Sequence, residues 1–314
     1  MALGDKEMGY EAGGDDAVLP FQISETAVRG RVVRLGGAIN AILSAHPFPD
    51  PVKELLGEAV AFVALVGAAL KFDGKLIFQA QGDGPVAMIV ADYVAGGALR
   101  ATASLSGPLP EGARGLSQLM GKGHMALTID QGPDMERYQG VTSLDTGSLA
   151  EAAAAYFDQS EQIPTAVKLA VGRVLRPGEG ETWRAGGVIA QYVPGEGGAS
   201  EREMAAFMDE DDREAWERAE ILLETTQADE LLDPGVSAET LLYRLYHEDG
   251  VIVFKPSRLR AECACNQEKI TAVLDRYPPE ELADMVEDGF IRVTCDFCRK
   301  NYLFDAAGKP AKVA

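Results

Sequence analysis

The sequence predicts an α+β fold in three parts: a large N-terminal domain with a mainly antiparallel sheet packed by helices, a helical linker, and a small C-terminal domain. Up to about residue 194, short apolar segments alternate with amphipathic ones. From 196 to 249 acidic residues dominate, and all four cysteines lie in the last fifth of the 314 residues. We therefore expect an acidic N-terminal extension, an α+β domain, a linker and a cysteine-bearing domain, with boundaries at 1–17, 18–195, 196–261 and 262–314.

The composition is that of a folded protein with a substantial core. Hydrophobic residues make up 46% of the chain and charged residues 25%, and the length suits about two domains. The longest apolar run, 59–70, is much shorter than the roughly 20 residues that cross a bilayer. Because the N-terminus is acidic and rich in glycine, unlike a signal peptide, we expect a cytoplasmic protein.

The formal net charge of -20 narrows the range of partners. A chain of this charge repels phosphate backbones and anionic membrane surfaces, so we expect neither nucleic acid nor membrane as a partner. Thiols in the cytosol are normally kept reduced. Paired cysteines in such a protein therefore indicate a metal site or redox chemistry more often than structural disulfides.

The first long helix of the N-terminal domain is predicted to begin at Pro51, since proline suits the first helical turn. Its apolar positions advance by steps of four and three residues, which is typical of one buried face: Val52, Leu56, Ala59, Val63, Val66 and Leu70. This stripe is interpreted as core.

Strands are predicted next, at 75–81, 86–93 and 98–105, separated by the turn sequences GDGP and AGG. Strands joined this tightly are antiparallel. Further strands are predicted within MALTID, YQGVTSL and GGVIAQYV, and helices at 148–158 and 164–175. The polar stretch YFDQSEQIPTAV is interpreted as a helix end, with Pro164 near the start of the next helix.

The linker segment 196–249 carries 17 acidic residues against four arginines and no lysine, a net charge of -13. Apolar residues still keep helical spacing in it: Met204, Met208, Ala215, Ala219 and Leu222, with Trp216 and Leu223 beside them. A second helix is predicted with Ser237 as N-cap and with Leu241, Leu242 and Leu245 facing inward. Since acidic runs such as 209–212 repel themselves at helical spacing, we expect these helices only while docked; the alternative is a solvated acidic linker.

The four cysteines form the strongest motif of the chain. Cys263 and Cys265 make a C-x-C pair, 29 residues follow, and Cys295 and Cys298 make a C-x-x-C pair. Four thiolates suit tetrahedral Zn²⁺, and a domain this small needs a metal or disulfides to stay folded. Unrelated buried cysteines or a thioredoxin-like pair are the alternatives. The three histidines are scattered along the chain, which leaves the four cysteines as the economical ligand set: His46, His124 and His247.

A closed shell of four cysteines is ordinarily structural, yet the close spacing within each pair also allows oxidation to disulfides. Because a disulfide sulfur does not bind zinc as a thiolate does, the cluster can act as a switch. We expect Arg299 and Lys300, directly after Cys298, to favour thiolate character.

Motifs for catalysis are weak, and no enzymatic activity is expected. The sequence DTGS at 145–148 matches an aspartic-protease tetrapeptide, but it occurs once and is interpreted as a turn. The sequences GDGP and GEG lack the context of phosphate-binding loops, and neither G-x-S-x-G nor H-E-x-x-H occurs.

Five separated stretches, in this order, resemble the bacterial heat-shock protein 33 family of redox-switched holdase chaperones: GDGPV, YFDQSEQIPT, GGVIAQYVP, LLYRLYHED and CAC…GFIRVTCDFCRKNYLF. The resemblance runs from about residue 20 to about 305. It implies an N-terminal substrate-binding domain, a metastable helical linker and a C-terminal zinc domain. This is the same three-part division that composition predicts.

The resemblance implies that Cys263, Cys265, Cys295 and Cys298 hold zinc in the reduced, inactive state. It further implies that oxidation pairs Cys263 with Cys265 and Cys295 with Cys298, after which zinc leaves, the linker unfolds, and the exposed surface binds unfolding clients and supports a homodimer. The sequence NQEK after the C-x-C pair departs from the Ser-Arg type sequence of many relatives. The acidic extension lies outside the resemblance and is assigned no role.

Two other readings of the chain stay open at this point. The first is a zinc-ribbon protein associated with nucleic acid, which the ten acids against seven bases in 262–314 disfavour. The second is an enzyme that uses a pocket of the N-terminal domain.

Overall fold

The protein is seen here as a computed structural model that describes residues 14–70, 73–132, 135–176, 178, 180–193 and 208–311. Most of the expected acidic extension and the start of the expected linker, including Met204, lie outside the described residues. The division into domains at the expected boundaries stays a prediction.

The strands of the N-terminal half are β1 (Ala17–Ile23), β2 (Val28–Leu35), β3 (Lys75–Gly82), β4 (Val86–Val94), β5 (Ala98–Leu105), β6 (Gly123–Asp130), β7 (Tyr138–Ser143), β8 (Thr165–Arg176) and β9 (Gly180–Tyr192). Shorter strands follow: β10 (Val251–Val253), β11 (Ser257–Arg258), β12 (Arg260–Ala261), β13 (Val286–Glu287), β14 (Phe290–Thr294) and β15 (Asn301–Phe304).

The helices up to residue 161 are α1 (Gly37–Ala45), α2 (Asp50–Gly67), α3 (Gly115–Met120) and α4 (Leu149–Tyr156), and a π-helical turn continues α4 at Phe157–Glu161. The later helices are α5 (Glu210–Glu224), α6 (Ala228–Leu232), α7 (Ala238–Tyr246), α8 (Gln267–Leu274) and α9 (Pro279–Asp284).

Three sheets organise these elements. Sheet A has the strand order β10-β1-β2-β9-β8, with β11 also paired to β1. Sheet B has the order β12-β5-β4-β3-β6-β7, and a small third sheet has the order β13-β14-β15. Neighbouring strands run antiparallel except for β12 and β5, which run parallel. The predicted α+β class with a mainly antiparallel sheet is confirmed.

Helix α2 lies in the main core and packs on both large sheets. The predicted positions from Val52 to Val63 are fully buried, while Val66 and Leu70 are partly buried and Leu70 lies beyond the helix end. The helix is buried on more than the one predicted face, because sheet A covers one side and sheet B the other. Hydrophobic residues all around a helix are expected in such a position.

The predicted helix at 164–175 is wrong, because this segment forms strand β8. It pairs with β9 over its whole length, from Thr165 opposite Gln191 to Arg176 opposite Gly180. Strand β8 is apolar on both faces, so its pattern does not separate a strand from a buried helix. The helix end predicted before it is confirmed, since Gln162 adopts a left-handed conformation with φ 56° directly after the π-helical turn. Pro164 precedes a strand rather than a helix.

The linker helices cover the other face of sheet A. Trp216, Ala219 and Leu223 of α5 pack in a second core with Phe21 and Val32 of the sheet. Helix α7 begins after Ser237, whose hydroxyl accepts a hydrogen bond from the Thr240 amide at 3.1 Å, as predicted. Its predicted inward residues are buried: Leu241, Leu242 and Leu245.

The acidic run 209–212 lies at the start of α5 instead of within it. Asp209 is the N-cap and accepts a hydrogen bond from the Asp212 amide at 2.8 Å. The helix dipole favours negative charge in the first turn, which offsets the self-repulsion expected from the sequence.

Candidate metal centre

The four cysteines meet in one cluster, with their Sγ atoms all within 4.8 Å of one another. Cys263 Sγ lies 3.7 Å from Cys295 Sγ, and Cys265 Sγ lies 3.4 Å from Cys298 Sγ. With Zn–S bonds of about 2.3 Å, a tetrahedral site has sulfur–sulfur edges of about 3.8 Å. The cluster therefore has the size and the ligand chemistry of a tetrahedral metal site.

The first pair of thiols lies at the beginning of α8. Asn266 is the N-cap of this helix, and its side chain accepts a hydrogen bond from the Lys269 amide at 2.8 Å. Lys269 Nζ in turn donates to the carbonyl of Ala264, between the two cysteines, at 2.7 Å. A helix N-terminus favours negative charge, so this position supports thiolates.

The second pair lies on the turn between β14 and β15. The Cys295 amide donates to the Lys300 carbonyl at 3.0 Å, and the Arg299 amide donates to the Cys295 carbonyl at 2.8 Å. Arg299 takes a left-handed conformation with φ 58°. This turn folds Cys298 back over the strands, towards Cys265.

Tyr302 on β15 supports the cluster from one side. Its hydroxyl lies 3.1 Å from Cys265 Sγ and donates to the Cys265 carbonyl at 3.2 Å. Burial opposes ionisation of Cys265, but hydrogen bonds from Tyr302 and the neighbouring thiols lower the pKa of Cys265 to about 7. Burial raises the pKa values of Cys263 and Cys298.

The structure shows other partners for the two cations that were expected to favour thiolates. Arg299 faces the Asp296 carboxylate at 3.9 Å, and Lys300 Nζ lies 5.1 Å from the centre of the Tyr302 ring. Arg100 of β5, which the sequence did not single out, interacts with Cys263 instead. Its guanidinium also lies 4.1 Å from the centre of the Phe297 ring, and Phe297 is part of the C-x-x-C pair.

The cysteine cluster is joined directly to sheet B. Strand β12, two residues before Cys263, pairs in parallel with β5, so that Arg260 lies opposite Ala98 and Ala261 opposite Leu99. The Arg260 amide donates to the Gly97 carbonyl at 2.9 Å. Gly97 has φ +91°, and a Cβ at this position would lie 2.0 Å from the Arg258 carbonyl oxygen, so glycine is required for this approach.

Two buried arginines fasten the linker to sheet A, and we call Arg34, Arg184 and Asp15 the arginine clasp. Arg34 on β2 donates to the Glu230 carbonyl at 3.2 Å and to the Asp233 carbonyl. Arg184 on β9 donates to the Leu232 carbonyl at 2.7 Å. The clasp therefore binds main-chain oxygens at the end of α6.

Asp15 balances the charge of the clasp. Its carboxylate accepts two hydrogen bonds from Arg184, both at 2.5 Å, and lies 3.9 Å from Arg34. The next residue, Asp16, accepts hydrogen bonds from the Gly36 and Ala38 amides at the start of α1, both at 3.0 Å. Both aspartates fall within the extension to which the sequence assigned no role, and they hold its end against the clasp and α1.

The remaining motifs have structural positions. Ser148 of the DTGS sequence is the N-cap of α4 and accepts a hydrogen bond from the Glu151 amide at 3.2 Å, in agreement with the predicted turn. His46 is buried, and its Nε2 lies 3.1 Å from the Ala101 carbonyl oxygen. Among the described residues, the side chains that lie close enough together to hold a metal ion are the four cysteines, and no histidine is among them. No described helix is both long and apolar enough to span a membrane.

Comparison with known proteins gives a consistent result. Residues 16–305 match the family model described as Hsp33 protein. The 33 kDa chaperonin of Caulobacter vibrioides is 48% identical over 304 residues, which cover 94% of this chain and 96% of the relative. The 33 kDa chaperonin of Shewanella loihica is 37% identical over 293 residues, which cover 93% of each chain.

Among solved structures, the crystal structure of the 33 kDa chaperonin from Thermotoga maritima has a TM-score of 0.75 and 23% sequence identity. It covers 93% of this chain and 95% of its own. This likeness shows the shared fold. The family match over nearly the whole sequence and the relatives at 48% and 37% identity show the family: the chain belongs to the Hsp33 protein family, and this membership supports a chaperone function.

Proposed function

We propose that this protein is a redox-regulated, ATP-independent holdase that binds unfolding proteins under oxidative stress. In the reduced state Cys263, Cys265, Cys295 and Cys298 hold Zn²⁺ and the protein is inactive. Oxidation of the thiols releases the linker from sheet A and exposes the client-binding surface. The main support for this proposal is the second core, because half of its buried residues come from sheet A and half from the linker helices.

The cysteine-bearing C-terminal unit, residues 262–314, is expected to depend on metal because its hydrophobic core is small. The unit buries few apolar residues: Leu274, Leu282, Ile291, Tyr302 and Phe304. A core of this size leaves a small domain marginal. Four thiolates on Zn²⁺ would tie the start of α8 to the turn between β14 and β15, and structural zinc sites contribute about 10–16 kcal/mol of apparent binding free energy.

The proposed oxidation forms two disulfides, Cys263–Cys265 and Cys295–Cys298. Each disulfide takes two electrons from a pair of thiols, and one molecule of hydrogen peroxide accepts them and becomes two molecules of water. Two peroxides are thus consumed for each chain. The resulting disulfide sulfurs no longer bind the metal as thiolates, and the unit loses its crosslink.

Loss of this unit acts on the linker through the chain between them. Strand β12 ends directly before the C-x-C segment, while β10 and β11 hold the end of the linker to β1. The linker helices carry many acidic residues, so they have little stability of their own once these attachments weaken. Their release would uncover apolar residues of sheet A that now lie in the second core, among them Phe21, Val28, Val32 and Val188.

An apolar surface of this kind fits unfolded clients and a homodimer of the active form. The function needs no nucleotide. Nucleic acid does not fit as a partner, because the cysteine-bearing segment 262–314 is itself acidic. A cytoplasmic location fits a switch that rests in the reduced state.

The test measures zinc content and suppression of client aggregation on the same sample, before and after peroxide. We expect one zinc per reduced chain with little holdase activity, and no bound zinc with high activity after oxidation. Reduction with dithiothreitol and added zinc serves as the control and restores the first state. Full activity in the zinc-loaded, reduced protein, or reduced protein without stoichiometric metal, would contradict the proposal.

A further inference from the structure

A second site lies on the opposite side of sheet A from the linker. A cavity of about 230 Å³ opens between the two large sheets, beside the end of α2. Its walls are mainly apolar and include Leu70, Leu76, Leu127 and Ile129. Ligand pockets combine such walls with a few placed polar groups, and here Arg31, Gln191 and Glu161 supply them.

Arg31 points into this space because of strand alternation. On β2 the neighbouring residue Val32 belongs to the second core under the linker, whereas Val33 belongs to the main core on the other face. Side chains two residues apart share a face of a strand, so Arg31 lies on the side of Val33, towards α2. The cavity is thus separated from the clasp and from the linker by the sheet itself.

The Arg31 guanidinium has an unusual set of partners. It donates one hydrogen bond, to Gln191 Oε1 at 2.8 Å. Among the residues that the structure describes, no carboxylate lies within ion-pair distance of it. Partial burial lowers the pKa of Arg31 to about 10, so the group stays charged at neutral pH. A guanidinium carries five N–H donors, so a half-buried one with a single protein acceptor has donors left for an anion.

The Glu161 carboxylate, which also lines the cavity, does not pair with Arg31. Its Oε1 atom accepts hydrogen bonds from the Tyr138 hydroxyl at 2.9 Å and the Tyr156 hydroxyl at 3.1 Å. Burial and the nearby Glu161 raise the pKa of Tyr156, so its hydroxyl stays a donor. These bonds hold the π-helical turn that forms one wall, and such turns are frequent at functional sites.

We propose that this cavity binds a small carboxylate with an apolar body, whose carboxylate pairs with Arg31. Guanidinium and carboxylate match in a two-bonded, charge-assisted arrangement, and the apolar body lies against Leu70, Leu76 and Leu127. A volume of about 230 Å³ holds about eight water-sized groups at about 30 Å³ each, which suits an acid such as octanoate. Both a short fatty acid and the free carboxyl end of a peptide offer this chemistry.

The experiment is calorimetric titration of the full-length, zinc-loaded, reduced protein with four probes. Octanoate represents a fatty acid and N-acetyl-leucine represents a peptide end; octan-1-ol and N-acetyl-leucinamide are their neutral counterparts. We expect at least one acid to bind saturably with one site per chain, about tenfold or more tighter than its neutral counterpart. The tighter acid identifies the source.

Three variants locate the site. Arg31→Met should weaken binding of the acid at least tenfold, whereas Arg276→Met, which alters an exposed arginine outside the cavity lining, should leave it unchanged. Ala69→Phe fills the exposed mouth of the cavity without touching Arg31, so it should also abolish binding even if Arg31→Met folds poorly. Thermal melts check that each variant is folded.

The proposal is overturned if neither acid binds saturably, if the neutral probes bind as tightly, or if Ala69→Phe leaves the affinity unchanged. None of these outcomes depends on the redox switch. A failure here would leave the chaperone proposal intact, and the reverse also holds.

Discussion

Arginines occupy positions on β2 and β9 where a buried strand usually has apolar residues. Arg34 and Arg184 are 3% and 2% exposed, and each donates to carbonyls of the linker. Pattern analysis found neither β1 nor β2: Arg34 interrupts the alternation of β2, and Pro20 lies within the apolar segment that forms β1. The cysteines were found because their spacing alone carries the signal. Tyr302 and Arg100 reach the cluster only through tertiary structure.

At the residue scale, we expect Tyr302→Phe to weaken zinc binding by about tenfold. The change removes the hydroxyl that lies 3.1 Å from Cys265 Sγ while it keeps the ring in the small core. Competition with a chromogenic chelator measures the affinity. Tyr277→Phe alters an exposed tyrosine of the same unit and is the control, and Cys265→Ser, which removes a ligand, sets the largest loss. Equal affinities of Tyr302→Phe and the unmodified protein would contradict a supporting role for this hydroxyl.

Elements with a single periodicity were predicted well, and those apolar on both faces were not. Helix α7 appears where Ser237 and the leucine spacing placed it, and the hairpins β3–β4–β5 follow their glycine turns. Strand β8 was mistaken for a helix because sheet A is covered by α2 on one side and by linker helices on the other. Which side of an apolar segment is buried depends on neighbours far away in sequence, and a local pattern does not contain them.

At the element scale, the stability of the protein is expected to depend on pH through Glu58 of helix α2. Glu58 lines a cavity of about 300 Å³ beside β8, and Glu151 of α4 and Glu220 and Glu224 of α5 also line it. Burial, and then Glu54, raises the pKa of Glu58 from 4.5 to about 7. Glu58 therefore binds its proton more tightly in the folded state than in the unfolded state. The contribution of this group to the free energy of unfolding is fully present below about pH 4.5 and is lost as the pH rises through 7.

Replacement of this group isolates the effect. We expect Glu58→Gln to raise the free energy of unfolding by about 1–2 kcal/mol at pH 8 and to leave it nearly unchanged at pH 4.5. Urea unfolding at the two pH values measures the difference. Glu111→Gln, at an exposed loop position, is the control. A gain of the same size at both pH values would mean that packing, not the charge, explains the change.

Over the whole molecule, the proposed sensor and the proposed client surface lie at different sheets. The cysteine cluster adjoins sheet B through β12 and the contact of Arg100 with Phe297, whereas the linker helices cover sheet A. The segment 251–261 pairs with an edge of each sheet and connects the two. Composition predicted the order of these parts along the chain, but not that one short segment would join both sheets.

At the scale of the molecule, we expect linker release alone to activate the chaperone. Replacing both Leu223 and Leu242 with Gln puts polar groups into the second core, where each leucine is fully buried, and should give holdase activity in reduced protein with zinc still bound. The double change of Ile221 and Tyr243 to Gln is the matched control, because both residues lie on the same helices and are 65% exposed. Client aggregation, zinc content and amide exchange are measured together. An unfolded linker without activity would mean that the client surface lies elsewhere.

Strand β1 pairs with β10, a strand of the same chain that is synthesised much later. Phe21 pairs with Val253, which follows it by about 230 residues. At a synthesis rate of about 5–20 residues per second, this edge of the nascent sheet waits about 10–50 s for β10. An open strand edge can pair with another chain, so the nascent protein is itself prone to aggregation during this interval. Strands β10 and β11, which end this interval, are only three and two residues long, so an edge that closes late in synthesis is also held by few bonds afterwards.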